Sequence, residues 1–150
     1  IEKPVIFVEL GSNEKGWNNQ NAAQVVANTI VESVKTIAQN HYEKGTFKKK
    51  NIKICVGFGG THYMSNLSKL NKYGCGFVHV MPKYRIDGTT KECIAQIPEK
   101  SLESIDNWVF DWKGMNSAQK EKLIEILEEL GHPYIKRKKL HKRLKKQQKT

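Results

Sequence analysis

The stretch from Ile52 to Tyr63 constrains this chain most. Ile52-Lys53-Ile54-Cys55-Val56 is an apolar β-type run that ends in Gly57-Phe58-Gly59-Gly60 and gives way at once to Thr61-His62-Tyr63. Glycines at a strand exit let the backbone take positive φ and let a ligand come close. In an open α/β sheet, the carboxyl ends of strands are where ligands bind. A Gly-Gly pair after a strand is also a common plain turn, so the neighbouring segments decide what this one means.

Those segments alternate between strand and helix. Val5–Leu10 reads as a buried strand, with Glu9 near its exit, followed by the turn Gly11-Ser12-Asn13-Glu14 and by Trp17 in a polar loop. From about Asn18 to Asn40, Ala22, Val26, Ile30, Val34 and Ile37 follow helical spacing, the pattern of an amphipathic crossover. Glu43–Lys50 reads as an exposed loop. A short helix is expected over Ser65–Lys72, then a strand over Cys75–Val80. Pro82 stops that strand and leaves Lys83 and Tyr84 in the loop beyond it.

A short helix from Thr90 to Ile97 is ended by Pro98, and Trp108–Trp112 is the next strand. Asn116-Ser117-Ala118-Gln119 has the form of a capping box. The stripe Leu123, Ile124, Leu127 and Leu130 with Gly131 as stop completes the final helix. His132–Ile135 offers a last short strand. The order predicts an α/β layered fold with a largely parallel sheet and flanking helices.

Composition narrows the class. At 150 residues the chain suits one domain, and a mean hydropathy of −0.62 with no apolar run near the length of a span argues against a membrane protein. No signal peptide is recognisable. The chain opens Ile1-Glu2-Lys3-Pro4 without an initiator Met, as expected of a processed chain or one that begins mid-protein. Cys55, Cys75 and Cys93 are odd in number and widely spaced; buried free thiols in a reducing cytoplasm are the expected reading.

The net charge of +11 is concentrated at one end, because residues 136–150 hold nine Lys/Arg and no acid. The division is therefore a domain over 1–135 and a basic tail over 136–150. Lys136, Arg137, Lys138, Lys139, Lys142, Arg143, Lys145 and Lys146 suit a phosphate backbone; a disordered solubilising end or a targeting signal is the alternative.

Polar groups thus stand at four strand exits: Glu9 with Ser12 and Glu14, His62 with Tyr63, His79 with Lys83 and Tyr84, and Asp111 with Lys113. In a parallel sheet these exits share one rim. Each residue also has a plain structural reading. Glu9 can pair with Lys113, His62 can bond a loop carbonyl, His79 can be a satisfied core histidine, and Lys83 and Tyr84 can be surface residues. Trp17, Trp108 and Trp112 can be core.

As chemistry, the set holds imidazoles and carboxylates with no nucleophile elbow, Walker loop or Cys-x-x-Cys. Hydrolysis by an activated water fits it best. His62 serves as base or metal ligand, Glu9 or Asp111 as orienting group, and Lys83 or Lys113, with loop N–H groups, as oxyanion stabiliser.

Four motifs in order then resemble a known family. They are Phe7-Val8-Glu9-Leu10-Gly11-Ser12-Asn13-Glu14 with Trp17 and Asn21-Ala22-Ala23; Gly57-Phe58-Gly59-Gly60-Thr61-His62-Tyr63; His79-Val80-Met81-Pro82-Lys83-Tyr84; and Asp111-Trp112-Lys113-Gly114. Across residues 5–135 they are similar to the archaeal and plant type of D-aminoacyl-tRNA deacylase. The resemblance implies a cytoplasmic ester hydrolase that frees tRNA from D-amino acids, a fold like phosphorylase and peptidyl-tRNA hydrolase domains, and a zinc ion. It implies catalytic or metal-site roles for Glu9, His62, His79 and Asp111, with metal ligation by His62 and His79. Ser12, Glu14, Trp17, Gly59, Gly60, Tyr63, Lys83 and Tyr84 are the expected substrate contacts.

D-aminoacyl-tRNA is the expected partner; DNA and membranes are not. The family pattern also has an N-terminal half with a His-His-Gly-Pro-Thr motif that this chain does not include, so the chain is expected to be the C-terminal catalytic portion. Thr61 stands where the family often has a third glycine, Met64-Ser65-Asn66 replaces a basic continuation, and the basic tail is additional. The alternative reading is a non-catalytic tRNA- or RNA-binding fragment. Peptidyl-tRNA hydrolase or phosphorylase activity rests on fold analogy alone.

Overall fold

The computed structural model describes residues 8–11, 13–39 and 51–147, and the chain divides into two compact units, Ile1–Glu43 and Lys44–Thr150. In the first unit, Asn13 caps α1 (Glu14–Trp17) by accepting a hydrogen bond from Gly16 N–H at 2.9 Å. The helix α2 follows over Gln20–Gln39, within a residue or two of the periodic stretch in the sequence. Trp17 therefore closes a short helix and is 62% exposed. The first half of the expected strand Val5–Leu10 lies outside the described residues, as do Ser12 and the whole loop Glu43–Lys50. Val8, Glu9 and Leu10, which are described, form no strand.

The second unit is built on β1 (Lys53–Phe58), β2 (Cys75–Met81), β3 (Asn107–Phe110) and β4 (Tyr134–Lys136). These form one sheet in the order β2-β1-β3-β4, every pair parallel, as the alternation of elements predicts. Between the strands run a 3-10 turn (Ser68–Tyr73), α3 (Lys83–Ile86), α4 (Lys91–Glu99), a second 3-10 turn (Trp112–Gly114) and α5 (Ser117–Glu129). The helix α6 (Arg137–Gln147) follows β4.

Side chains along a strand alternate between faces, and here each face has its own core. Val56 and Phe58 of β1 with Trp108 and Phe110 of β3 meet Ile94 and Ile97 of α4 and Leu123, Ile126 and Leu127 of α5. On the other face, Cys55 and Val109 meet Leu67, Leu70, Leu140 and Leu144. Burial on both sides is why β1 reads as an unbroken apolar run. Gly57 belongs to this second face; a Cβ there would lie 2.6 Å from Leu67 Cδ1, so its absence lets the segment after β1 pack down on the sheet. Cys55 and Cys75 are buried, Cys93 is exposed, and all three are free.

The strand expected over Trp108–Trp112 ends at Phe110, the helix expected over Ser65–Lys72 is the 3-10 turn Ser68–Tyr73, and three further elements differ from the sequence reading. Pro82 both ends β2 and caps α3, so Lys83 and Tyr84 sit on a helical turn instead of a loop. Pro98 lies inside the last turn of α4, which ends at Glu99. Residues 137–147, read as tail, are helical, and Leu140 and Leu144, one turn apart, are buried against the second core. Leu140→Ala should therefore lower the free energy of unfolding by about 2–5 kcal/mol in a urea titration. A change within about 0.5 kcal/mol, typical of surface positions, would contradict a packed α6.

Candidate active site

Three strand exits of the second unit are tied together by backbone hydrogen bonds. Beyond β1, Gly59 N–H donates to Met81 O at 2.9 Å and Gly60 N–H to Gly114 O at 3.1 Å, while Gly60 O accepts from Lys83 N–H at 3.1 Å. Asp111 N–H donates to Phe58 O at 2.8 Å. Gly59 and Gly60 adopt φ of +92° and +81°, a region that side chains with a Cβ rarely occupy. Space is as tight as the torsions: a Cβ on Gly114 would stand 2.5 Å from Gly60 N and 2.8 Å from Asp111 Oδ2. The glycines are required for the exits to converge.

Asp111 sits beneath this junction. It is 4% exposed, and its Oδ2 accepts from Asn66 Nδ2 at 2.9 Å, a partner 45 residues away that gives the buried carboxylate a hydrogen bond. Asn66 Oδ1 in turn accepts from Lys69 Nζ at 3.2 Å. Lys113, on the turn after Asp111, is exposed.

Above the junction His62 is exposed, and its Nδ1 lies 2.8 Å from Tyr84 Oη. The rings lie 6.5 Å apart at 21°, and the Tyr63 ring stands edge-on to His62 at 5.1 Å. With Nδ1 committed to Tyr84, Nε2 is the nitrogen left to act on a substrate or a water. When Nδ1–H donates to the tyrosine oxygen, Nε2 carries the lone pair of a base.

Tyr84 is held in turn by a residue the sequence reading used only as a cap. Gln119 is buried; with Asn116 it completes the capping box, each accepting from the other's backbone N–H, at 2.8 and 3.3 Å. Its Nε2 also donates to Lys83 O at 3.0 Å and to the Asp87 carboxylate at 3.1 and 3.2 Å. Lys122 Nζ adds a bond to Asp87 O at 2.7 Å. These contacts hold both ends of α3 against α5.

Of the expected residues, the fold gathers Gly59, Gly60, His62, Tyr63, Lys83, Tyr84, Asp111 and Lys113 at these exits. His79 sits elsewhere on β2, paired with Val56, and its Nε2 is 3.2 Å from Ser101 Oγ. Ser101 Oγ–H donates to Ile97 O at 2.6 Å, so its oxygen accepts from His79 Nε2–H. Burial lowers the His79 pKa by penalising the imidazolium. Glu9, Glu14 and Trp17 belong to the first unit. Asn66 and Gln119 are the residues that sequence reasoning passed over as site-forming.

Zinc takes at least three protein ligands, and the implied ligands His62 and His79 are two. His79 commits Nε2 to Ser101, whereas His62, with Nδ1 on Tyr84, keeps Nε2 for a ligand. Among the described residues no three His, Cys, Asp or Glu side chains group as a metal site. The described donors do not by themselves complete a zinc site. Among the described residues no helix is long and apolar enough to cross a membrane.

Comparison with known proteins follows the same line. Residues 1–135 match the family model described as D-aminoacyl-tRNA deacylase. A D-aminoacyl-tRNA deacylase of Pyrococcus furiosus is 31% identical over 137 residues, which cover 91% of this chain and 46% of that protein. One from Methanocaldococcus jannaschii is 30% identical over 134 residues, 87% of this chain and 48% of that one. The chain spans about half the length of these curated relatives. A crystal structure of a conserved protein of unknown function superposes with a TM-score of 0.60 at 28% identity, covering 88% of this chain and 43% of that one.

Two outcomes test the geometry. Gly114→Ala should cost about 1–3 kcal/mol of stability, the usual range for forcing atoms into a packed site; a neutral change measured by urea unfolding would contradict the close approach to Gly60. For His79 the sign follows from its lowered pKa. Between the folded and unfolded values the unfolded chain binds the extra proton, so stability rises with pH there and is lost as pH falls below the usual histidine range. Thermal midpoints measured from pH 7 to 5 should fall less steeply in His79→Gln than in the parent; equal slopes would contradict the assignment.

Proposed function

The chain belongs to the D-aminoacyl-tRNA deacylase family, and on that premise we propose that it hydrolyses the ester joining a D-amino acid to the terminal adenosine of tRNA. The products are free D-amino acid and tRNA, so the reaction proofreads chirality in translation. A cytoplasmic setting goes with that substrate.

The observation that carries the reading is the His62–Tyr84 pair, an exposed imidazole held through one nitrogen at 2.8 Å over a junction closed by Gly59, Gly60 and Gly114. With Nδ1–H bonded to Tyr84, Nε2 takes a proton from water as the water oxygen bonds to the ester carbonyl carbon. Negative charge on the carbonyl oxygen is met by the ammonium of Lys83 or Lys113, both at the exits and exposed. When the C–O ester bond breaks, the imidazolium returns its proton to the departing ribose oxygen. Asp111 stays buried beneath the loop and shapes it. Tyr63 and Tyr84, 73% and 55% exposed, present ring faces on which the terminal adenine can stack.

The test is release of D-tyrosine and L-tyrosine from charged tRNA by the protein and by its His62→Ala variant. The D ester alone should be cleaved, and His62→Ala should lose about 10²–10⁴-fold in rate with its thermal midpoint unchanged. Full activity in His62→Ala, or equal cleavage of both esters, contradicts the proposal.

A further inference from the structure

Charge in the second unit is sorted by layer. Segment 44–86 carries nine Lys/Arg and no acid, segment 130–150 again nine and no acid, and every Asp and Glu of the unit falls within 87–129. Among the described residues, the fold places the 3-10 turn 68–73 and α6 on one face of the sheet and α4 and α5 on the other, with α3 packed against α5 through Ile86. Over one face lie α4 and α5, whose exposed acids are Glu92, Glu99, Glu121, Glu125, Glu128 and Glu129; Lys91 of this layer is paired with Glu129 at 2.8 Å. Over the other lie the 3-10 turn 68–73 and α6, without an acid in either.

This second layer is a built surface. Leu67, Leu70, Leu140 and Leu144 share one core, and the Tyr73 and His141 rings meet edge-on at 4.6 Å. With Leu140 and Leu144 buried, helical spacing turns Lys138, Lys142 and Lys145 to the side facing away from the sheet, and all three are exposed. Lys69 and Lys72 extend the positive surface along the turn. Lys69 also reaches the active site by two short bonds, through Asn66 to Asp111, at 3.2 and 2.9 Å. The family model ends at residue 135, so α6 lies beyond the matched domain.

We propose that the turn 68–73 and α6 form the docking surface for the phosphate backbone of the RNA whose 3′ end reacts at His62, with α4 and α5 facing away. The partner follows from the chemistry: a run of ammonium groups with no interleaved acid suits closely spaced phosphates and draws its affinity from counterion release. This rests on the tRNA reading above, and it adds a face and a polarity that the reading does not contain.

The experiment measures the affinity of the protein for deacylated tRNA between 50 and 200 mM salt, for the parent, for Lys138→Gln/Lys142→Gln/Lys145→Gln, and for Lys100→Gln beside α4. The triple variant should flatten the slope of log Kd against log[salt] by about two to three and weaken binding on the order of tenfold or more. Its thermal midpoint should not move, because these side chains point away from the core. Lys100→Gln should keep the parent slope.

A triple variant with the parent slope overturns the docking face. So does an equal effect from Lys100→Gln, since binding would then have no side, and so does preference of the parent for anionic vesicles over tRNA. Deacylation measured alongside separates the two claims. Activity with an unchanged slope removes the docking face and leaves the deacylase; a flattened slope without activity does the reverse.

Discussion

Everything at the candidate site depends on the approach of two backbones, Gly60 and Gly114, over the buried carboxylate of Asp111. The room between them is less than one methyl group requires, with Gly60 N only 2.5 Å from where a Gly114 Cβ would stand. This contact joins the exit of β1 to that of β3, and the Lys83 N–H bond to Gly60 O joins both to the exit of β2. His62 is thus presented by a loop whose stem is fixed at three places. That rigidity suits a site that must hold an imidazole still.

A second set of contacts fixes the partner of that imidazole. Tyr84 rides on a single helical turn, too short to be stable alone. Gln119 supplies what the turn lacks by capping α5 with one end of its amide and bonding Lys83 O and Asp87 with the other. One buried amide therefore transmits the position of α5 to the tyrosine hydroxyl. The sheet adds a division of labour, with acids gathered over one face and a nearly uniform positive surface over the other.

How much of this the sequence disclosed depends on the range of each interaction. The apolar run of β1, its glycine exit and the capping box at Asn116 are local signals, and each falls where the sequence puts it. The parallel sheet followed from the alternation of elements. Contacts such as Asn66 with Asp111, 45 residues apart, leave no mark on a single sequence. Pro82 was legible as an end of β2, but that it also starts α3 depends on Gln119, which is distant. Residues 137–147 read as a solvated tail because two leucines among seven Lys/Arg give too little apolar surface to declare a helix. Their partners Leu67, Leu70 and Val109 exist as a surface only once the sheet has formed.

The central claim is that His62 and Tyr84 act as one catalytic unit on the ester, and a double-mutant cycle tests it most directly. Rates of D-aminoacyl-tRNA cleavage would be measured for Tyr84→Phe, His62→Ala and the pair together. If Tyr84 works by orienting the imidazole, Tyr84→Phe lowers the rate on its own but adds nothing once His62 is gone, as residues acting as a unit are strongly non-additive. Losses that multiply in the double variant would show two independent roles and contradict the account.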